Sequence, residues 1–506
     1  MAIAAPMLRE TADVVSRLAW SRGLGLPRSS LGLPARLTLR AAASGDRAGV
    51  EAVHAAAAAE LVERALEWHH AAATRQEPVA LATLAGDYCL ARASQALAGH
   101  TGLVVQTAFA RGVASAAAAL AAGGDAPQAA RCLLPACGLA GAVAARLPGT
   151  VQARWWRAGA ALAAGGAPPR ETWGTGPESR PGDLGALAQL QAARDPVQAW
   201  LGGRLLLDPP AVAGPMARLL GAGGKRLRAG LVLLAAEVGP EYDPDRAVVG
   251  AAAIELLHAA TLCHDDLVDG ASSRRGAPTV ASDRGALVAL AVGDHYLGRA
   301  AELLCGLGDP GIARAVTRAL VRIAEAQLRE LERRRRWSAQ LGPYRQVAVG
   351  KTGALLTACV ETGARLGRAT PEQRRALVRY AQLLGLAFQG IDDCLDFADP
   401  ERTGKPAGLD LAQGLCTLPV ICALRGAARG PVMEALRRLD QADLGRETEA
   451  ASLSVVALVR GSGALAAARA LADEWSAAAL DQLTGLPPRA HRRLAAFADR
   501  LVVRDR

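Results

Sequence analysis

The stretch from Glu255 to Thr279 reads ELLHAATLCHDDLVDGASSRRGAPT. It carries three carboxylates, Asp265, Asp266 and Asp269, at positions i, i+1 and i+4. In a helix those positions gather on roughly one face. Carboxylates so close repel one another and raise each other's pKa unless cations intervene. The residues before them, Ala259-Ala260-Thr261-Leu262-Cys263, are small or apolar, so this is not a polar surface helix. Carboxylate oxygens suit Mg²⁺, which usually also binds substrate phosphate. Arg274 and Arg275 follow within reach of a second anion. Acid, metal and paired arginines together suggest a phosphorylated substrate.

A second cluster repeats the arrangement. FQGIDDCLDFAD (388–399) places Asp392, Asp393 and Asp396 at the same spacing, again after apolar residues. One such cluster is weak evidence and more often a solvated face; two, each on an apolar helical segment, are much harder to dismiss. Helices facing one another across a bundle would set two acidic walls around one diphosphate, with several Mg²⁺ ions between them.

Lysine usage points to the same places. The chain holds 58 basic residues, and only Lys225, Lys351 and Lys405 are lysines. Lysine is a compact point charge and arginine a planar fork, so the two are not interchangeable at a tight phosphate site. A lysine kept against the chain's own bias marks a position that needs its chemistry. The three lie in GGKRLR (223–228), KTG (351–353) and GKPAGLDLAQGLCTLP (404–419).

Composition sets the frame. At 506 residues, two or more domains are expected. Aromatic residues make up 3% and charged residues 21%, and strand-like alternation is nearly absent, so the class is all-α. No uninterrupted apolar run long enough for a transmembrane segment is visible, and no leader-like n-region and h-region open the chain. The expectation is a soluble cytoplasmic protein, with a hydrophobic product able to draw it to a membrane surface. Nine cysteines are scattered without a CxxC pair, which suggests reduced core thiols rather than zinc or disulfides. The net charge of +10 is spread out, against a nucleic-acid partner. The one dense basic run, RRRR at 333–336, reads as a solvated helix end.

Residues from about 185 to 506 resemble the trans-isoprenyl diphosphate synthases, the polyprenyl synthetase family. Many of its motifs occur in order: GGKRLR, the first DDxxD with RRGAPT, GDHYLGRA (293–300), KTG, FQGIDDCLD (388–396) and GKPAGLDLAQGLCTLP. The resemblance implies an isoprenoid-synthase-type helical bundle. It implies that isopentenyl diphosphate is condensed with an allylic prenyl diphosphate, with three Mg²⁺ ions as cofactor. Carried over residue by residue, Lys225, Arg228, His258 and Arg275 bind isopentenyl diphosphate. Arg274, Lys351 and Thr352 contact the allylic diphosphate, Gln389 stabilises the developing cation or binds at the site, and Lys405 neutralises phosphate. Asp265, Asp266, Asp269, Asp392, Asp393 and Asp396 hold the metal. Asp294 is expected to be an acid near a helix N-terminus. Leu415 stands where the family has a further lysine, so one phosphate contact is lost. Ala260 and Thr261, five and four residues before Asp265, are small and leave the product tunnel open, which implies products of C20 (geranylgeranyl) or longer. Leu256, Leu257 and Tyr296 are candidate floor residues.

The first 164 residues read as a degenerate partial copy of the same domain. LATLAGDYCLARASQALAG (81–99) parallels VALAVGDHYLGRAAELLCG (288–306), and AAAAELVERALEWHHAAAT (56–74) parallels AAAIELLHAATLCHDDLVD (251–269). Glu60 falls on Glu255 and His69 on His264, but His70, Ala71 and Thr74 replace the three aspartates. This copy cannot assemble the site. His69-His70 is not read as a metal pair, since nothing nearby completes it. The Pro/Gly-rich stretch at 165–184 is expected to link it to a catalytic domain at 185–506. The protein is expected to be a homodimer, or a pseudo-dimer made in cis with this half-copy. Two other readings stay open: a class I terpene cyclase on the same fold, which would not need Lys225, Arg228 and Arg275, and a non-catalytic partner subunit.

Overall fold

The computed structural model describes residues 50–74, 79–123, 126–144, 152, 194–205, 208–222, 226–398, 407–442 and 446–502. The expected linker, Lys225 and Lys405 lie outside the described residues. Among those described, the only strands are a two-residue pair; the rest is helix and connection, as the composition implied.

In chain order the first helices are α1 (Val50–Ala73), α2 (Val79–His100), α3 (Leu103–Ala121), α4 (Ala126–Arg131) and α5 (Leu134–Ala144). Then come α6 (Arg194–Leu205), α7 (Pro210–Gly221), α8 (Leu227–Ala236) and α9 (Pro244–Val268). The hairpin β1 (Ser273–Arg274) and β2 (Ala277–Pro278) leads to α10 (Val280–Arg284), α11 (Ala286–Gly306) and α12 (Pro310–Arg333). After α13 (Leu341–Ala348) a π turn, Val349–Gly353, opens into α14 (Ala354–Leu366), and α15 (Pro371–Leu395) follows. The chain ends through α16 (Leu409–Ala412), α17 (Leu418–Arg425), α18 (Arg429–Gln441), α19 (Arg446–Gly461), α20 (Ala464–Asp481) and α21 (Pro488–Val502).

The fold divides into two compact units, one of residues 1–233 and 241–321, the other of 234–240 and 322–506. Helices α1 to α5 therefore share a unit with α9 and α11, and the unit boundary does not follow the sequence boundary near 165–184. In the first unit α1 packs along α2, α3 along α11, and α11 along α9. Alanine dominates these contacts: Ala251, Ala252 and Ala253 of α9 and Ala116 and Ala117 of α3 are wholly enclosed. It costs no side-chain entropy in a helix and lets helices approach closely. In the second unit α15 is central, packed on α20, α14 and the π turn.

Local sequence sets where the two acidic helices start. Asp243 caps α9 by accepting from the N–H groups of Asp245 and Arg246, both at 3.1 Å, with Pro244 at the first helical position. α15 opens with a reciprocal capping box between Thr370 and Gln373, again followed by proline. Both helices are 25 residues long and carry the first two carboxylates of their cluster in the last turn.

Helices α3 and α9 are long and apolar enough to cross a membrane; in this fold most of each faces protein. Six of the nine cysteines are buried, and no disulfide forms among the described residues. The basic run is not simply solvated. α12 ends at Arg333, and Arg335 adopts a left-handed backbone and donates to the carbonyls of Leu439 and Asp440, at 3.1 and 3.2 Å.

Candidate active site

In the first unit α9 carries Asp265 and Asp266 in its last turn and ends on Asp269. Gly270, at φ +64°, stops the helix. The hairpin that follows turns at Arg275 and Gly276, both left-handed (φ 52° and 77°), the pairing that a two-residue type I′ turn requires. This return lays Arg274 on the helix end, where its Nε and Nη2 donate to Asp266 Oδ1 at 2.8 and 2.7 Å.

The three acids do not share one face. Asp266 is 3% exposed, while Asp265 is half-buried and Asp269 exposed. Successive helix residues are about 100° apart, so i and i+1 diverge while i and i+4 align. Asp265 and Asp269 are the open pair, and Asp266 orients Arg274. The sequence alone placed all three on roughly one face, and the burial differs among them.

Arginines gather around His258. Burial, then the charges of Arg228, Arg275, Arg274 and Arg226, hold His258 well below its ordinary pKa, so its imidazole is neutral. Arg226 also serves the scaffold: it donates to Leu220 O at 2.6 Å, Gln198 Oε1 at 2.8 Å and Glu255 Oε2 at 3.3 Å. Glu255 in turn accepts from the N–H of Ala229 at 3.0 Å, fixing the start of α8 against α9. Ala260 is wholly enclosed and Thr261 half-buried, its hydroxyl donating to His258 O at 2.8 Å. Leu256, Leu257 and Tyr296 are buried.

In the second unit the acids again divide. Asp392 is exposed, whereas Asp393 is 3% exposed. Asp393 accepts from Gln389 Nε2 at 2.9 Å and from the N–H of Leu418 at 3.0 Å. Burial pushes its pKa up to about 6 against these bonds. Both of its oxygens are engaged, which ties the end of α15 to Gln389 and to the start of α17. Asp396 likewise accepts from the N–H groups of Leu409 and Asp410, at 3.0 and 3.2 Å, and caps α16. Thr352 donates to Gln389 Oε1 at 2.9 Å, so Thr352, Gln389 and Asp393 form one chain that fixes the amide. Lys351 Nζ pairs with Glu330 at 2.9 Å.

Two acids went unread in the sequence. Burial raises Asp410 well above the usual carboxylate range, and so do the charges of Asp396, Asp393, Asp392 and Glu330. These carboxylates repel one another, and oxygen donors of this kind suit a hard cation such as Mg²⁺. Asp410 lies inside the quoted GLDLAQG segment, where an acid among apolar residues was the available signal. Glu330 had none.

His69 is not isolated as the sequence suggested. Its Nδ1 lies 2.7 Å from Asp294 Oδ2, and His264 Nδ1 lies 2.6 Å from Asp87 Oδ1. All four side chains offer ligand atoms within 4.8 Å of one another. Each imidazole has its other nitrogen on a backbone carbonyl, His69 on Thr83 at 3.3 Å and His264 on Leu290 at 3.1 Å. Both rings thus face acceptors at both nitrogens and are held protonated, balancing two carboxylates. Burial opposes the charge on His69, but Asp294 outweighs it and raises the pKa to about 10. Asp294 lies well inside α11 rather than at its start, and serves as the partner of His69.

The polyprenyl synthetase family model matches residues 209–451. Nonaprenyl diphosphate synthase of Mycobacterium tuberculosis is 33% identical over 325 residues, covering 64% of this chain and 96% of that protein. Heptaprenyl diphosphate synthase component 2 of Geobacillus stearothermophilus is 35% identical over 271 residues, 53% of this chain and 82% of that one. A polyprenyl synthase from Caulobacter crescentus, solved with calcium and isoprenyl diphosphate, superposes with a TM-score of 0.57 at 32% identity, covering 63% of this chain and 97% of its own.

Proposed function

The chain belongs to the polyprenyl synthetase family and is a prenyltransferase, and we propose that it condenses isopentenyl diphosphate with an allylic diphosphate in a Mg²⁺-dependent reaction. The product is a linear trans-polyprenyl diphosphate of C20 or longer. One observation carries the reading. His258 lies within the charge of Arg228, Arg275, Arg274 and Arg226, and Arg274 donates to Asp266 of the first acid cluster. Cations gathered beside a carboxylate cluster suit two diphosphates, one held by arginine and one through metal. A cyclase needs only the second.

Mg²⁺ would be held by Asp265 and Asp269 on α9 and, in the other unit, by Asp392 and Asp410, and would supply charge neutralisation at a leaving diphosphate. The chain's own groups do the rest. The C–O bond of the allylic diphosphate breaks heterolytically, and Lys351 exchanges Glu330 for a phosphate oxygen. Arg228, Arg275 and neutral His258 hold isopentenyl diphosphate so that its double bond meets the allylic carbon. The new C–C bond leaves a tertiary cation, which loses a proton to the departing diphosphate. Gln389, fixed by Thr352 and Asp393, presents its amide dipole to the developing charge. Proximity and electrostatics suffice, and no side chain acts as nucleophile.

The test is product analysis of the full chain with Mg²⁺, labelled isopentenyl diphosphate and a set of allylic primers, with Asp265→Ala beside it. A ladder ending at C20 or beyond, absent from the variant, supports elongation. Cyclic hydrocarbon formed from the allylic substrate alone transfers the assignment to a cyclase. The name of the Geobacillus relative, component 2, gives a further reading in which a separate partner is required; turnover by the purified chain alone excludes it.

A further inference from the structure

The first unit contains two related halves that meet through reciprocal contacts. His69 of α1 and the Gly86-Asp87 pair of α2 correspond in sequence to His264 of α9 and the Gly293-Asp294 pair of α11. In the fold His69 bonds Asp294 at 2.7 Å and His264 bonds Asp87 at 2.6 Å, so each histidine takes the carboxylate of the other half. Their second nitrogens face the carbonyls of Thr83 and Leu290, which also correspond. A Cβ on Gly86 would fall 2.2 Å from the His69 ring, and one on Gly293 would fall 2.1 Å from the His264 ring. Both positions must therefore be glycine for their histidine to fit. Exchanging the halves maps each contact onto its counterpart. That is the signature of an isologous two-fold interface, ordinarily formed between two chains.

The joint is wider than these four side chains. α3 packs along α11, Arg111 pairs with Glu302 at 2.6 Å, and His295 bonds the carbonyl of Ala114 at 2.8 Å. Gly298 leaves no room for a Cβ, which would meet Ala110 O at 2.7 Å. This face of the acidic half is therefore already covered from within the chain. The covering half carries His70, Ala71 and Thr74 where the acidic half carries Asp265, Asp266 and Asp269, so it has no site of its own to run.

We propose that residues 50–144 act in cis as the partner half of a built-in pseudo-dimer, and that Asp87 is a positioning residue for the first acid cluster. Asp87 holds the imidazole of His264, the residue immediately before Asp265. It thereby fixes the last turn of α9 from which Asp265 and Asp269 project. Loss of a fraction of an ångström in placement there is amplified in rate. The positioning role rests on the prenyl-transfer reading; the partner role does not.

The test uses the full chain throughout. Light scattering across the assay range is expected to give the mass of one chain, 52.1 kDa, with turnover per mole constant on dilution. A two-chain particle, or turnover that falls with dilution, overturns the partner role. Asp87→Ala, checked for helical circular dichroism and one-chain mass, is expected to lose about 10-fold in kcat. It is also expected to need several-fold more Mg²⁺ for half-maximal rate and to bind Mn²⁺ more weakly by electron paramagnetic resonance. KM for isopentenyl diphosphate is expected to stay unchanged. Asp87→Asn, which keeps an oxygen for His264, is expected to recover most of the loss. A purely structural role would lower the active fraction without moving the metal requirement. A folded Asp87→Ala chain equal to wild type in kcat and metal requirement overturns the positioning role. Absence of prenyl transfer in the wild type would instead count against the functional reading, with the mass measurement still deciding the partner role.

Discussion

Arg275 occupies a left-handed turn position where glycine would be free of strain. Its strain, about 1 kcal/mol, is tolerated for a guanidinium at that point. Arg275→Gly relieves the strain but loosens the unfolded chain by a similar amount, so stability should change by less than about 1 kcal/mol. Affinity for isopentenyl diphosphate should fall roughly 10- to 100-fold, the worth of a charge-assisted pairing. Steady-state KM beside a denaturant titration separates the two; an unchanged KM would remove Arg275 from the site. His69 makes a pH prediction. Its folded pKa, about 10, lies above the ordinary 6.5, so the pairing stabilises the fold fully below pH 6.5 and is lost as pH rises toward 10. The loss is on the order of a few kcal/mol. Thermal unfolding from pH 6.5 to 10 should decline more steeply in wild type than in His69→Gln. Parallel declines would show that the tetrad carries no such charge.

At the level of elements, the π turn bearing Lys351 and Thr352 passes so close to α15 that a Cβ on Gly385 would fall 2.5 Å from Gly353 Cα. Gly385→Ala must push the turn away, at about 1–3 kcal/mol of stability. The displaced Lys351 and Thr352 should lower kcat at least 10-fold with every aspartate intact. A variant with normal kcat would mean that the turn does not present these groups. On α9, Thr261 has exposed surface while Ala260 is enclosed. Thr261→Phe should therefore shorten the product by at least one isoprene unit, roughly one helical turn or 5 Å, while Ala260→Phe should chiefly destabilise. Product chromatography after Thr261→Phe decides, and an unchanged length distribution would move the chain-length wall elsewhere. The helices themselves were legible in the sequence because Ala/Leu runs, prolines at N1 and capping residues act locally. The inward turn of Asp266 and Asp393 was not, because spacing alone does not show which flank of a helix is covered.

Across the whole molecule, the acidic motifs stood out in the sequence because carboxylates at that spacing among apolar residues are unusual. Convergence was not readable. Asp294 lies 225 residues from His69, and nothing local to either announces the other. Glu330 and Asp410 join the second acid group only through the fold. The repeated GDxxLxRA pattern was visible in the sequence, yet the place of α1 to α5 in the same compact unit as α9 and α11 came from the structure. The most direct measurement of the central claim is stoichiometric: diphosphate released per isopentenyl unit incorporated, with an allylic primer, with and without Mg²⁺. Elongation predicts one diphosphate for each unit added, and none of either after chelation. Diphosphate released with no isopentenyl unit consumed would contradict it.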